Sequence, residues 1–369
     1  MKIAMITPSY PPSMGGLEGH VSGLARALSN AGVDVTVLSQ GTHSELSREA
    51  SGVTVKTFRS LIGGRTYRVA PALGPWVTTH RSDFDLIHAH GYHGAAAAMG
   101  ALAAGEVPFV LTPHYHGGGH TAFAHVLHYG YRPLGTWLIK RAAAVICVSK
   151  AEALALEERE HTVRSRTLVI PNAPASTGLL SEASTRGAQL VLSLGRLVPY
   201  KNNRLLLDGF RLLDSDAELV IAGDGVERPA LAAAARNDPR VRIVGQVDRP
   251  TLDRLLSSAW VVASLSGHEA FGMALLEGLL AGARVVVSDI PAHREVIELC
   301  SAEDRGALLP LPASPATVAA ALGAALLAGP PSTSISGWTW DDIAQRTLRV
   351  YDTVLAAGSR RIVLTSLQV

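Results

Sequence analysis

Apolar and polar positions along this chain come in short blocks whose period switches between that of a strand and that of a helix. Residues 2–6 form an apolar run of strand length, broken at Thr7-Pro8 and followed by a Pro- and Gly-rich loop to Gly16. Helical spacing then holds over residues 17–31, and a second apolar run follows at 33–38. Strand, Gly-rich turn, helix and strand in that order predict a parallel pair joined by a crossover helix. The pattern continues with strands at 53–58, 85–88, 109–112, 144–148 and 167–170, a helix at 95–104 and another ending near Arg141. That makes about seven strands of a Rossmann-like domain.

Pro171-Asn172-Ala173-Pro174 and the residues to Gly187 are rich in turn formers and predict a domain boundary. Alternation restarts at 189–194 and runs through a helix from Asn203, strands at 217–222 and 241–244, and helices at 228–236 and 252–256. The expected division is a first doubly wound domain over 1–174, a second over 188–338, and a helix with tail over 339–369, the helix spanning 340–355. The fold class is α/β.

One stretch concentrates the chemistry. An apolar strand at 260–265 is broken by Ser266-Gly267, and helix formers resume from Met273 to Ala281. The amides near Phe271, Gly272 and Met273 then lie at a helix N-terminus, without intrahelical partners and at the positive end of the dipole, which suits an anion such as phosphate. Glu269 precedes that site, and Glu277 lies in the helix on the order of 8 Å further along. Each carboxylate can accept from two vicinal hydroxyls, so a polyol at each end with phosphate between would fit, the layout of a nucleotide sugar. Two isolated Glu residues would otherwise read as a solvated turn residue and a surface salt bridge.

Glu-x7-Glu with Phe-Gly after the first Glu, ahead of the apolar strand at 284–288, resembles the donor-site signature of glycosyltransferase family 4. The resemblance implies a GT-B fold, two Rossmann-like domains facing each other across a cleft, with the last helix crossing back onto the first domain. It implies a retaining transferase acting on a nucleoside-diphosphate sugar and a hydroxyl acceptor, with no metal and no cofactor. Gly195-Arg196-Leu197 and Lys201-Asn202 are similar to the family's phosphate motif: Arg196 offers a planar fork and Lys201 a point charge for a diphosphate. The Gly15-Gly16 pair, at the end of the first strand, matches a family loop that faces the donor phosphates and the acceptor. His114, after the strand at 109–112 and Thr-Pro, matches the family histidine near the sugar, with His116 the competing choice. Gly223-Asp224-Gly225 and Gly245-Gln246-Val247 correspond to loops that approach the base, which gives Val247 a donor-side role. The expected catalytic residues are His114 and Glu269. Donor binding is expected from Gly15, Gly16, Arg196, Lys201, Val247, Phe271, Gly272, Met273 and Glu277, while Glu295 reads as structural.

Composition narrows the rest. An apolar content of 47% with 17% charged residues indicates a globular chain, and a net charge of +2 without a dense basic run gives no case for nucleic acid. Cys147 and Cys300 are far apart in sequence and each lies in or beside an apolar run, which fits neither a disulfide framework nor a zinc spacing. No stretch near Met1 has signal-peptide character and the Ala-rich segments are too short to span a bilayer, so the expected location is cytoplasmic. Arg65, Arg68, Trp76, Arg81, Arg132, Trp137, Lys140 and Arg141 could form a basic, aromatic face for peripheral contact at the inner membrane, or a solvated face with Trp packed inward, the favoured reading. Eight of the 14 histidines fall between His88 and His128, and His88/His90 and His114/His116 have strand spacing. No Asp, Glu or Cys joins those pairs, so the expectation is no metal. Asp214-Ser215-Asp216 reads as a turn rather than a metal motif. Two rival readings stand beside the transferase: a GT-B epimerase acting on a nucleotide sugar alone, and a non-catalytic nucleotide-sugar-binding protein.

Overall fold

The computed structural model describes residues 1–13, 15–61, 68–115, 122–174, 187–331 and 339–357, with side chains omitted over 122–130. The chain divides into two compact units, Met1–Ala173 with Trp338–Val369, and Pro174–Gly337. The first is thus discontinuous, containing both ends of the chain.

In the first unit the strands are β1 (Lys2–Ile6), β2 (Asp34–Gly41), β3 (Glu45–Arg48), β4 (Thr54–Arg59), β5 (Leu86–His90), β6 (Phe109–Thr112), β7 (Ala144–Cys147) and β8 (Thr167–Val169). They form one sheet in the order β3-β4-β2-β1-β5-β6-β7-β8, parallel except for β3. Period-two alternation decides which core each β1 side chain enters. Ile3 and Met5 join one cluster, with Val21, Leu24 and Leu28 of α1 (Gly16–Asn30). Ala4 and Ile6 join the other, with Leu73 and Val77 of α2 (Leu73–His80) and Ala97 and Ala101 of α3 (Ala95–Ala103). A sheet apolar on both faces must be covered on both. On the α1 face the covering is completed from the far end of the chain: Ile343, Val350, Tyr351 and Val354 of α12 (Trp340–Ala357) pack into the same cluster.

The second unit holds β9 (Leu190–Leu194), β10 (Glu218–Ala222), β11 (Val241–Gly245), β12 (Val261–Ser264), β13 (Arg284–Ser288) and β14 (Gly306–Leu309), all parallel, in the order β11-β10-β9-β12-β13-β14. Leu206, Leu207 and Phe210 of α6 (Asn203–Arg211) meet Val318, Leu322 and Leu326 of α11 (Pro315–Ala328) in its core. The remaining helices are α4 (Ala122–Arg141), α5 (Lys150–Arg159), α7 (Arg228–Ala235), α8 (Arg249–Ser258), α9 (Met273–Leu280) and α10 (Pro291–Leu299).

The first sheet has eight strands rather than about seven because β3, Glu-Leu-Ser-Arg, is exposed at every position and carries no apolar alternation to announce it. Its partner β4 supplies the pairing instead. The segment expected only as basic contains α2, and α5 and β14, a four-residue apolar edge strand, add to the elements expected.

Each sheet has one point where the chain reverses its direction of winding, between β1 and β5 and between β9 and β12. At such points the loops leaving adjacent strands diverge to opposite faces and open a crevice at the carboxyl edge. Every residue singled out above on Gly15-Gly16, Arg196, Lys201 and Glu269 follows one of these four strands.

Candidate functional site

In the second unit the loops after β9 and β12 are laced together. Asn202 Nδ2 donates to the Leu265 carbonyl at 2.8 Å, and the Gly267 amide donates to the Tyr200 carbonyl at 2.7 Å. The neighbouring β10 loop also packs tightly: a Cβ on Gly223, where φ is +147°, would lie 1.8 Å from the Gly195 carbonyl oxygen. That close approach of backbone to backbone explains the Gly after β10 and holds the start of the Arg196 loop against it.

Tyr200 is the hub of the basic loop. Arg196 donates to its hydroxyl at 2.8 Å, both Arg196 and Lys201 stand over its ring at 5.9 and 5.7 Å, and His268 stacks on it at 4.2 Å. Lys201 forms an ion pair with Glu269 Oε1, which also accepts from Ser266 Oγ at 2.8 Å. Burial by itself would push the Glu269 carboxyl up; the Lys201 charge, then the His293 ring and the two hydrogen bonds, outweigh it and hold the group at about 2. The two expected donor contacts are therefore joined to each other.

Gly272 caps α9 at φ +111°, a conformation few side chains adopt, which turns the chain sharply after the buried Phe271. The first intrahelical bond runs from the Leu276 amide to the Gly272 carbonyl, so the amides of Met273, Ala274 and Leu275 precede the helical ladder. Glu277 lies within α9 and is only 6% exposed. Its partner is one the sequence did not suggest: Arg249, at the start of α8, donates to Glu277 Oε1 at 2.7 Å and also pairs with Asp253 at 2.6 Å. Val247 is half-buried in the loop two residues before Arg249. His293 of α10 is the second residue missed. Its Nδ1 meets the Ser288 carbonyl at 2.9 Å, its buried Nε2 has no partner, and its ring flanks Gly272. Glu295 is buried in the same helix, and Asp214-Ser215-Asp216 is a turn between α6 and β10.

In the first unit Gly15 and Gly16 are exposed where α1 begins, and Ser9 Oγ donates to Glu18 Oε1 at 2.5 Å in the first turn. His114 follows β6 at φ +49°, a left-handed backbone held on its C-terminal side by the Tyr115 amide, which donates to Glu152. That turn sends the His114 ring against His20 of α1, at 4.7 Å between ring centroids, and near His90 at the end of β5, at 5.8 Å. Burial drives all three imidazoles down, His20 to about 4 and the others well below their usual range, so all are neutral near pH 7. The grouping is not the strand-spaced pairing considered from sequence. His88 adjoins His90, but its two nitrogens go to Tyr351 Oη at 2.6 Å and Thr112 Oγ1 at 2.8 Å. His116 lies outside the described residues.

Among the basic and aromatic residues of the first unit, Arg65 also lies outside the described residues. Trp76 packs against the core and stacks on His80 at 4.1 Å, Arg68 donates to the Gln40 carbonyl at 3.0 Å, and Arg81 and Arg141 bond the carbonyls of Ala103 and Gly105. On α4, Arg132, Trp137 and Lys140 are exposed, Lys140 pairing with Glu160 at 3.2 Å. No helix among the described residues is long and apolar enough to cross a membrane.

Known proteins share both halves of this arrangement. The Glycosyltransferase Family 4 sequence profile matches residues 14–173, and the Glycosyl transferases group 1 profile matches residues 181–332. A phosphatidyl-myo-inositol mannosyltransferase of Mycolicibacterium smegmatis is 30% identical over 97% of this chain and 95% of its own, and a glycogen synthase of Mycobacterium tuberculosis is 27% identical over 80% of each. Among solved structures, Anabaena HepE in complex with UDP and glucose superposes with a TM-score of 0.66 at 20% identity, covering 99% of this chain and 96% of that one. Sucrose-phosphate synthase from Thermosynechococcus elongatus gives 0.70 at 19% identity, covering 96% and 99%. With two parallel-sheet units, a relative at 30% identity along nearly the whole chain and matches to both halves of the family, the chain belongs to glycosyltransferase family 4 and is a glycosyltransferase of the GT-B fold.

Proposed function

We propose that the protein is a retaining, metal-independent transferase that moves a hexose-type sugar from a nucleoside-diphosphate sugar to a hydroxyl acceptor. The observation that carries this reading is the Lys201–Glu269 pair, set with Ser266 ahead of the α9 N-terminus and with Glu277 inside the helix beyond it. In this reading the diphosphate is neutralised by Arg196, Lys201 and the amides after Gly272. Glu277, oriented by Arg249, takes the ribose hydroxyls, and Glu269 takes hydroxyls of the transferred sugar. Lys201 serves both ends: while it stays near Glu269 it keeps that carboxylate ionised, and its remaining protons reach the phosphate.

His114 is assigned to the sugar or the acceptor as a neutral imidazole that donates and accepts. With no second carboxylate assigned as a nucleophile, the acceptor attacks from the face the diphosphate leaves, and a departing phosphate oxygen takes the acceptor proton. Rate then comes from positioning and from stabilising diphosphate charge. That one structural neighbour binds UDP and glucose supports a nucleotide-sugar donor. The relatives named for lipid and glycan acceptors support a hydroxyl acceptor of either kind. Exposed Arg132, Trp137 and Lys140 on α4 support peripheral contact with an anionic membrane.

A panel of UDP-, GDP-, ADP- and dTDP-sugars, with and without an acceptor extract, tests this by released nucleoside diphosphate and by product anomeric configuration. Acceptor-dependent release with retained configuration is expected. Turnover without acceptor would indicate an epimerase, and binding without release would indicate a non-catalytic protein.

A further inference from the structure

We propose that His20, His90 and His114 form a binding site for one divalent transition-metal ion of the zinc or cobalt class, separate from the phosphate chemistry of the second unit. One ligand nitrogen from each ring lies within 4.8 Å of the other two. The rings come from three elements, α1, the end of β5 and the turn after β6, so their convergence is tertiary and not an accident of helical or strand spacing.

Hydrogen bonding leaves these nitrogens unused. His20 Nε2, both nitrogens of His90 and His114 Nε2 are buried and have no partner. A buried polar atom left without a partner is costly, and one cation bound among the three rings would satisfy a nitrogen of each at once. The tautomer of His20 is also set. Asn172 Oδ1 can only accept, so the 2.6 Å contact places the proton of His20 on Nδ1 and leaves the buried, unpartnered Nε2 with a lone pair. This is the outer-sphere arrangement by which ligating histidines are oriented. His88 supports the wall: its nitrogens are engaged with Tyr351 and Thr112, which fixes it beside His90, 4.2 Å between ring centroids, without competing for the ion.

The donor chemistry selects the ion. Three neutral imidazoles suit zinc, cobalt or nickel and are a poor set for magnesium or calcium, which take oxygen ligands. Nitrogens around a tetrahedral zinc at about 2.0–2.1 Å stand about 3.4 Å apart, so the widest pair, within 4.8 Å here, closes by at most about 1.4 Å on binding. Three protein ligands leave a fourth position for water or another ligand. The pairs considered from sequence missed this set because His20 lies in α1, 70 positions before His90.

The test is titration of EDTA-treated full-length protein with Co²⁺, read by the visible ligand-field bands of a tetrahedral nitrogen site, and with Zn²⁺ by calorimetry. One equivalent per chain is expected. His20→Ala and His90→Gln should each abolish the bands, Asn172→Ala should weaken binding by roughly 10–100-fold, and His43→Ala, on the surface, should change nothing. Circular dichroism on each variant separates loss of the site from loss of the fold, and the glutamine variant keeps a polar side chain where alanine would leave a cavity. Absence of a stoichiometric site in the wild type, or bands that survive His90→Gln in a folded protein, would overturn the proposal. Because the readout is binding, it stands or falls independently of the transferase assay. If His114 also meets substrate, as proposed above, saturating Zn²⁺ inhibits transfer and EDTA restores it.

Discussion

Arg249 and Glu277 form an ion pair of 2.7 Å between the first residue of α8 and the second turn of α9, with the carboxylate side chain only 9% exposed. A carboxylate so placed is costly without its cation, and Arg249, itself only 31% exposed, reaches it. Removing the cation alone should therefore cost more than removing both charges. Arg249→Met is expected to destabilise by about 2 kcal/mol and Arg249→Met/Glu277→Gln by distinctly less than the sum of the single changes, read by urea unfolding as a double-mutant cycle. Additive single effects would show that the pair is not coupled.

Glu269 gives a pH signature. Its folded value of about 2 lies below its ordinary 4.5, so the folded state binds its proton more weakly than the unfolded chain does. The group thus stabilises the fold above about pH 4.5, and that contribution is lost as pH falls toward 2. In urea midpoints measured from about pH 6 to about pH 3, the advantage of wild type over Glu269→Gln should shrink steadily on acidification. A gap that stays constant would mean that Lys201 does not hold the carboxylate as described. At neutral pH, Glu269→Ala should stay folded and lose transfer in the donor panel.

How much of this was legible in the chain differs between its parts. The alternation of apolar blocks announced β1, β6 and β13 with their bounds, because a strand buried on both faces needs an unbroken apolar run. It could not announce β3, whose four exposed residues are placed by pairing with β4 and not by burial. Lys201 and Glu269 were visible as motif members, 68 positions apart, but their ion pair was not, since only the adjacency of β9 and β12 brings their loops together. Arg249 and His293 belong to no pattern readable in one dimension. The signal that could have pointed to Arg249 is physical: a Glu with the apolar helix formers around position 277 would be buried, and a buried carboxylate requires a cation.

Gly278 tests how tightly α9 is laid on its sheet. A Cβ at this position would fall 2.7 Å from Val262 Cβ and Cγ2 on β12, a contact with a stiff, buried side chain that cannot swing away. Gly278→Ala should therefore destabilise by about 1–3 kcal/mol despite the better helix propensity of alanine, which alone would stabilise by about 1. Thermal unfolding of the single variant decides the sign. Gly278→Ala should cost less in a Val262→Ala background, where two of the three opposing carbons are gone, than it does in the wild type.

Tyr351 anchors α12 to the centre of the first sheet. It is fully buried on α12, and its hydroxyl meets His88 Nδ1 at 2.6 Å while Thr112 Oγ1 occupies His88 Nε2 at 2.8 Å. Tyr351→Phe preserves the ring and its packing with Ile343, Val350 and Val354 but leaves a buried imidazole nitrogen without a partner. A loss of about 1–3 kcal/mol is expected, the cost of one orphaned polar group, against about 3–5 kcal/mol for deleting a whole aromatic side chain. Unfolding monitored by urea should give that range for Tyr351→Phe and the larger one for Tyr351→Ala. Hydrogen exchange on α12 should rise in step, since the helix is covered on its apolar face by this cluster. Wild-type stability in Tyr351→Phe would mean that the His88 contact adds nothing and that α12 is held by apolar packing alone.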